Sequence, residues 1–455
     1  MTFTLNKANS YIKENKSKVN PYYKGIYHFQ PEIGWINDPN GLVYFNDEFY
    51  LFYQYYPYDT KPGPMHWGLA TSKDLLTFDY KDVYLAPTNQ DVVSGCFSGS
   101  SIVVDNKLFI SYTAHYEKEG YRREEQFLFA QNDKENIIKI VADEELPEGC
   151  DTSDFRDPHI IYKNGYYYLL VGSRNHKLDE GVLLIFRSET LSNFKYHFSI
   201  YSKKEFGIMC ECPDYFESNG YDVLICSAVR VRGEENEYKN DNGTSVLVGH
   251  IDFENKTYEF TFKKELDKGD GFYAPKLIQN YNETIMIAWM ETWGKDIPTQ
   301  HNNHLWAGAF TYPRKLEVRN GELYQYPIEN IKKIYSKTFS LNENNIIKRN
   351  ADIFAKYHCD FELIFKGQNN DYDVKITAKH GYIYLNTKNS NNLNGFERRL
   401  VNTYENVDLR ILLDSSSIEI FVNEGREAIS TRIYLESDKY EVVSSEYESF
   451  VINEI

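Results

Sequence analysis

A chain of 455 residues is long enough to bury a large core and to form more than one structural unit. Its 67 Asp and Glu outnumber its 50 Lys and Arg, giving a formal net charge of -17; with no basic patch in the sequence, this repels nucleic acid and anionic lipid surfaces. No apolar run approaches the ~18 residues of a membrane span, and "MTFTLNKANSYIKENKSKV" has no apolar stretch resembling a signal peptide. A cytoplasmic protein without nucleic-acid or membrane partners is expected.

Cys96, Cys150, Cys210, Cys212, Cys226 and Cys359 show neither disulfide-framework nor metal-knuckle spacing, so free structural thiols are expected. Aromatic content of 16%, with 39 Tyr and 28 Phe, favours strands and also supplies stacking platforms for sugars.

Residues 1–24 read as an N-terminal extension with a loose helical pattern. "GWINDPNGLV", residues 34–43, then combines the turn chemistry of Asn, Pro and Gly with a carboxylate, Asp38, beside an aromatic wall, Trp35. From there a hairpin recurs: "GLVYFNDEFYLFYQYY" around Asn46, "SIVVDNKLFISYTAHY" around Asp105, and "HIIYKNGYYYLLVGS" around Asn164. It continues as "DYFESNGYDVLICSA" around Asn219 and "KLIQNYNETIMIAWM" around Asn282. The spacings are 59, 59, 55 and 63 residues. Units of this length, each opening with a hairpin, fit the blades of a propeller, so residues 25–330 are predicted to form five blades.

In the fourth unit, "NEYKNDNGTS" is expected as an exposed loop. After a linker at 331–344, strands with polar turns predict a β-sandwich over 345–455. There Val407, Leu409, Ile411 and Leu413 alternate, and Ile418, Ile420 and Val422 resume the pattern, as in a half-buried antiparallel sheet. The expected fold is all-β, a five-bladed propeller followed by a sandwich.

Equivalent positions of successive blades meet around the axis. Asp38 lies eight residues before its turn, Asp157 of "FRDPH" seven, and Glu211 of "MCECPDYF" eight; Ser98 and Tyr273 hold this register in the second and fifth units. Three carboxylates therefore converge on one axial pocket, where like charges raise one another's pKa; Arg156 neutralises only part of them. No loop has Ca²⁺-ligand spacing, and His301 and His304 of "HNNH" read as solvated, so neither a metal nor a cofactor is expected. Paired carboxylates instead suit glycoside hydrolysis, one as nucleophile or base and one as acid, with a third to hold sugar hydroxyls.

These residues resemble glycoside hydrolase family 32, which comprises invertases, inulinases, levanases and sucrose-6-phosphate hydrolases. "WINDPNG", "FRDP" and "ECPD" resemble its three catalytic motifs. "FYQYYP", "HWGLATSKDL", "FSGSS", "FYAPK", "WAGAFTYPRKL" and "DSSSIEIFVNEG" resemble its other blocks, in order. The resemblance implies Asp38 as nucleophile, Asp157 as stabiliser gripping fructose hydroxyls with Arg156, and Glu211 as acid then base, through a covalent fructosyl-enzyme with retention. It also implies that Asn37, Gln54, Trp67, Phe97 and Ser98 shape the fructose pocket.

Cys210, Tyr56, Leu69, Lys276 and Glu291 depart from the family's usual residues, which bears on the leaving-group side. Cys210 and Cys212 themselves read as packing on one side of a strand. The expected activity is release of terminal fructose from sucrose, sucrose-6-phosphate or short fructo-oligosaccharides. Carbohydrate binding without cleavage, and fructosyl transfer by the same residues, are the alternatives.

Overall fold

The computed structural model describes residues 3–455 except 88–93, 232, 234–236, 296, 359, 368–372, 388–395, 402–404 and 435. Cys359 therefore lies outside the described residues. Five sheets follow one another along the chain, antiparallel except where Trp306–Ala307 joins the first in parallel, and their first strands are Gly34–Phe45, Gly95–Val104, Phe155–Lys163, Met209–Ser218 and Tyr273–Leu277. Each first strand contacts the first strand of the next sheet, and Gly34–Phe45 also contacts Tyr273–Leu277, which closes the ring. The fold is a five-bladed β-propeller followed by a β-sandwich.

The first four blades turn from first to second strand through residues in the left-handed region: Asn46 and Asp47, Asp105 and Asn106, Asn164 and Gly165, Asn219 and Gly220. Paired positive φ values match the twist of a two-residue hairpin, and Asn, Asp and Gly tolerate them. The fifth blade instead joins its first two strands through residues 278–284.

A second feature recurs nearer the axis. Every first strand shifts register against its neighbour, between Ile36 and Pro39, Phe97 and Gly99, Glu211 and Asp214, and Tyr273 and Lys276; in the third blade the shift falls between Arg156 and His159. In four blades a proline sits in this bulge or closes it: Pro158, Pro213 and Pro275 lie inside theirs and Pro39 at the end of its own. Proline lacks the N–H a regular ladder needs, so a bulge is where a strand accommodates it. Asp157, Cys212 and Ala274, each just before its proline, adopt φ of 66°, 46° and 47°. That backbone is costly for a residue with a Cβ and turns the side chain out of the normal alternation.

The sandwich comprises two six-stranded sheets around a core that contains all seven alternating residues from Val407 to Val422. Strand Lys337–Ser340 pairs with Ser449–Glu454 in one of them. The half-buried expectation needs correcting, because Leu412, Phe421 and Ala428 on the sheet's other face pack with Phe29, Tyr53 and Phe310 of the propeller. Polar groups are buried at the same junction. His28 lies between Asp414 and Glu419 at 2.8 Å from each, and Arg314 bridges Glu419 and Asp267.

The N-terminal segment forms helix Leu5–Asn15, capped by the Thr4 hydroxyl, which accepts from the Lys7 N–H. Residues 237–245 are not the exposed loop expected: Tyr238 is buried with its hydroxyl on Ser245, and Asn242–Asp252 is a strand. Among the described residues no helix is long and apolar enough to cross a membrane.

Candidate active site

The bulges place Asp38, Asp157 and Glu211 in one pocket of about 190 Å³, together with Asn37, Gln54, Phe97, Ser98, Arg156 and Tyr273. This volume is below the ~300–1,000 Å³ of a typical small-molecule cleft, so it suits one sugar ring rather than a polymer segment.

Asp38 is fixed at both oxygens: Ser98 Oγ donates to Oδ2 at 2.6 Å and Asn37 Nδ2 to Oδ1 at 3.1 Å. Asp157 Oδ2 accepts the Cys212 N–H at 2.8 Å, while its own N–H donates to Thr113 Oγ1 at 2.9 Å. Glu211 is gripped by Arg156, whose Nε and Nη2 donate to Oε1 at 3.0 and 2.6 Å, and by the Tyr273 hydroxyl at 2.5 Å from Oε2. Arg156 is shared with Glu124, Nη1 lying 3.1 Å from Glu124 Oε2.

Burial favours protonation of Glu124, but Arg156, the hydrogen bond from His115, and Arg122 outweigh it and hold the carboxyl at about 2. Glu124 is thus a permanent anion behind Arg156. Asn37 Oδ1 and Gln54 Oε1 are buried without a partner, acceptors free for sugar hydroxyls.

Burial raises Asp38 to about 7, reinforced by the charges of Asp157 and Glu211 and opposed by Ser98 and Cys212. Asp157 rises to about 6, again by burial, with Arg156 opposing and Glu211 reinforcing. Such neighbours titrate as a group. With Asp38 as the expected nucleophile, which attacks only when ionised, kcat/KM should fall with decreasing pH through apparent pKa values between about 6 and about 7. A pH–rate profile of the free enzyme checks this; an acidic limb near pH 4 would contradict it.

Two expected pocket residues do not line it. Trp35 is buried, stacking edgewise on Trp289 and tilted against Trp293, while Trp67 lies in the core between blades one and two and donates from Nε1 to the Phe97 carbonyl at 3.1 Å. Both support the wall from behind. In their place Pro62, Gly63, Met65, Cys212 and Trp293 complete the lining.

Cys212 is more than packing: its Sγ lies 3.5 Å from Asp38 Oδ2 and 3.4 Å from Asp157 Oδ2. Its neighbour Cys210 forms a disulfide with Cys226, which corrects the reading of free thiols. The proline that follows Asp38, Asp157, Cys212 and Ala274 was the available signal for Cys212. Counted from that proline, Glu211 precedes the register of the two aspartates by one residue.

The solvated reading of "HNNH" holds for His301, which is exposed, but not for His304, which is buried with its ring stacked on Tyr23. Among the described residues no group of three His, Cys, Asp or Glu side chains is placed to hold a metal.

A family model described as glycosyl hydrolases family 32 N-terminal domain matches residues 28–327, and one described as family 32 C terminal matches 338–454. The raffinose invertase of Escherichia coli is 30% identical over 457 residues, covering 95% of this chain and 94% of that protein. A sucrose-6-phosphate hydrolase structure from Lactobacillus gasseri has a TM-score of 0.88 at 25% identity, covering 100% of this chain and 99% of that one. A Bombyx mori β-fructofuranosidase variant in complex with sucrose has a TM-score of 0.82 at 28% identity, covering 98% and 97%.

The chain belongs to glycosyl hydrolase family 32. Within it, the chain is a glycosidase of the β-fructofuranosidase type, releasing fructosyl units from a carbohydrate substrate.

Proposed function

We propose that this enzyme removes terminal β-D-fructofuranosyl units from sucrose and short fructo-oligosaccharides by two displacements at the anomeric carbon, with net retention. The observation that carries this reading is the convergence of Asp38, Asp157 and Glu211, each held differently, on a pocket sized for one ring.

Glu211 donates its proton to the glycosidic oxygen as that bond breaks, and a carboxylate oxygen of Asp38 bonds to the anomeric carbon. Water then attacks the same carbon, passing its proton to Glu211, and the ester bond to Asp38 breaks. Asp157 accepts hydrogen bonds from ring hydroxyls that strengthen as positive charge develops. Ser98 and Asn37 orient the nucleophile, and Glu124 keeps Arg156 in place beside Glu211.

Uncharged leaving groups fit this pocket better than phosphorylated ones. Arg156 is the single cation among its described lining residues and is already held by Glu124, Asp154 and Glu211.

The test is a product assay on sucrose, sucrose-6-phosphate and 1-kestose, with the first-formed fructose anomer followed by NMR. Fructose released as the β-anomer, with sucrose preferred to its phosphate, is expected. The α-anomer first would exclude the double displacement, and no fructose from any substrate would exclude the activity. Less free fructose than glucose from sucrose would mark fructosyl transfer through the same intermediate.

A further inference from the structure

Trp293 lines the pocket, with Pro62, Gly63, Met65 and Phe97 among its other apolar lining residues. It is about half exposed, and its indole leans on Trp289 and Trp35, with ring centroids 5.2 and 5.7 Å apart. An exposed indole next to the fructose pocket presents a flat apolar surface to the leaving sugar. The loop that carries the indole is also tied to the sandwich.

Two residues before Trp293, Glu291 is completely buried, and its Oε1 accepts from Arg432 Nη1 at 2.8 Å. Arg432 belongs to the sandwich strand Glu427–Arg432. It is itself buried and locked, donating from Nε to the Ser416 carbonyl at 2.7 Å and from Nη2 to Ser416 Oγ at 2.9 Å.

The other side of the loop meets the same strand through Asp270. The Lys295 ammonium lies 2.5 Å from Asp270 Oδ2, and Thr292 Oγ1 donates to the Asp270 carbonyl at 3.4 Å. Asp270 in turn accepts from the Thr431 hydroxyl, and the Gly271 N–H donates to the Ser430 carbonyl at 2.9 Å. The loop is therefore pinned on both flanks of Trp293 to consecutive residues of one sandwich strand.

We propose that Arg432, through its ion pair with Glu291, is a positioning residue for Trp293, so that the sandwich sets how the enzyme holds the leaving sugar. This rests on the fructosidase reading above and extends it to the leaving-group side. Arg432 touches no reacting atom; it acts by removing alternative positions of the loop, and the energy it contributes appears only when a bulky leaving group must stack on the indole.

The test compares sucrose with methyl β-D-fructofuranoside, whose leaving methanol has no ring to stack on Trp293. In Arg432→Met the KM for sucrose should rise about tenfold with kcat within about twofold, and kcat/KM for the methyl fructoside should stay unchanged. Adding Trp293→Ala to Arg432→Met should raise KM little beyond Trp293→Ala alone, as expected for residues acting through one another.

Because Arg432→Met strands a buried carboxylate, Glu291→Gln/Arg432→Met is the second variant; it leaves no charge unpaired and should show the same split. Equal losses on both substrates in a folded variant, or full additivity with Trp293→Ala, would overturn the proposal. A wild-type enzyme inactive on both fructosides would instead overturn the fructosidase reading.

Discussion

Asp38→Asn is expected to abolish turnover and at the same time to stabilise the protein. The amide is nearly isosteric and keeps its place beside Ser98 and Asn37, but it does not form the glycosyl ester. A loss in kcat on the order of 10⁴-fold or more, about 5.5 kcal/mol of barrier, is the scale for removing a nucleophile. Glu211→Gln should cost ~10²–10⁴-fold, the range of general acid–base catalysis.

The stability gain follows from linkage. Asp38 in the folded enzyme is raised to about 7, mainly by burial, from an ordinary value of 3.8. A raised carboxyl favours folding fully only below its unfolded pKa, and that advantage disappears as pH rises through the folded value, so above pH 7 the ionised side chain opposes folding. The opposition is on the order of 4 kcal/mol at most. Asn carries no such charge. Thermal melts at pH 8 should show Asp38→Asn above the wild type, with the difference shrinking toward pH 4; a variant less stable at pH 8 would argue against a strained nucleophile.

Arg314→Met is expected to bring the largest stability loss, about 3–5 kcal/mol, as found on breaking a buried ion pair from one side. Arg314 is fully buried between the propeller and the sandwich. Its guanidinium bonds Glu419, Asp267 at 2.9 Å and Gln325 at 2.7 Å. Methionine fills similar space but leaves Asp267 without its cation and Glu419 with His28 alone. Denaturant melts would measure the loss, and a change below 1 kcal/mol would show that the junction reorganises around the gap.

The same junction carries a pH signature. Burial disfavours charge on His28, but its hydrogen bonds to Asp414 and Glu419 prevail and raise it to about 9. Its contribution is complete below the unfolded value of 6.5 and is lost as pH rises through about 9. The wild-type melting temperature should therefore fall between pH 7 and pH 10 by more than that of His28→Gln.

Much of this architecture is written at short range. The hairpin turns at Asn46, Asp105, Asn164 and Asn219 are legible because left-handed backbone demands Asn, Asp or Gly, and the alternation from Val407 to Val422 is legible because a sheet has period two. The three carboxylates came into view through the turn spacing. Trp35 and Trp67 were misplaced because a hydrophobic residue beside a catalytic motif has the same sequence signature whether it faces the pocket or stands behind it.

Trp293 was missed for a long-range reason: its position depends on Glu291 meeting Arg432, 141 residues away. The Cys210–Cys226 disulfide was missed because neighbouring-strand register, not spacing, brings those cysteines together. The buried second face of the sandwich sheet likewise needs the propeller to explain it.

The bulge repeated in all five first strands gives the pocket a set of addresses. Asp38, Ser98, Asp157 and Cys212 line the pocket from the corresponding place in their blades, and the residue before each, with Tyr273 in the fifth blade, lines it too. Chemistry in this protein is thus assigned blade by blade on a shared backbone device: the ring of strands provides five mounting points, and the pair of residues at each decides what the axis can do. A propeller built this way changes its chemistry by exchanging single side chains at those points, while the turns and sheets that hold them stay as they are.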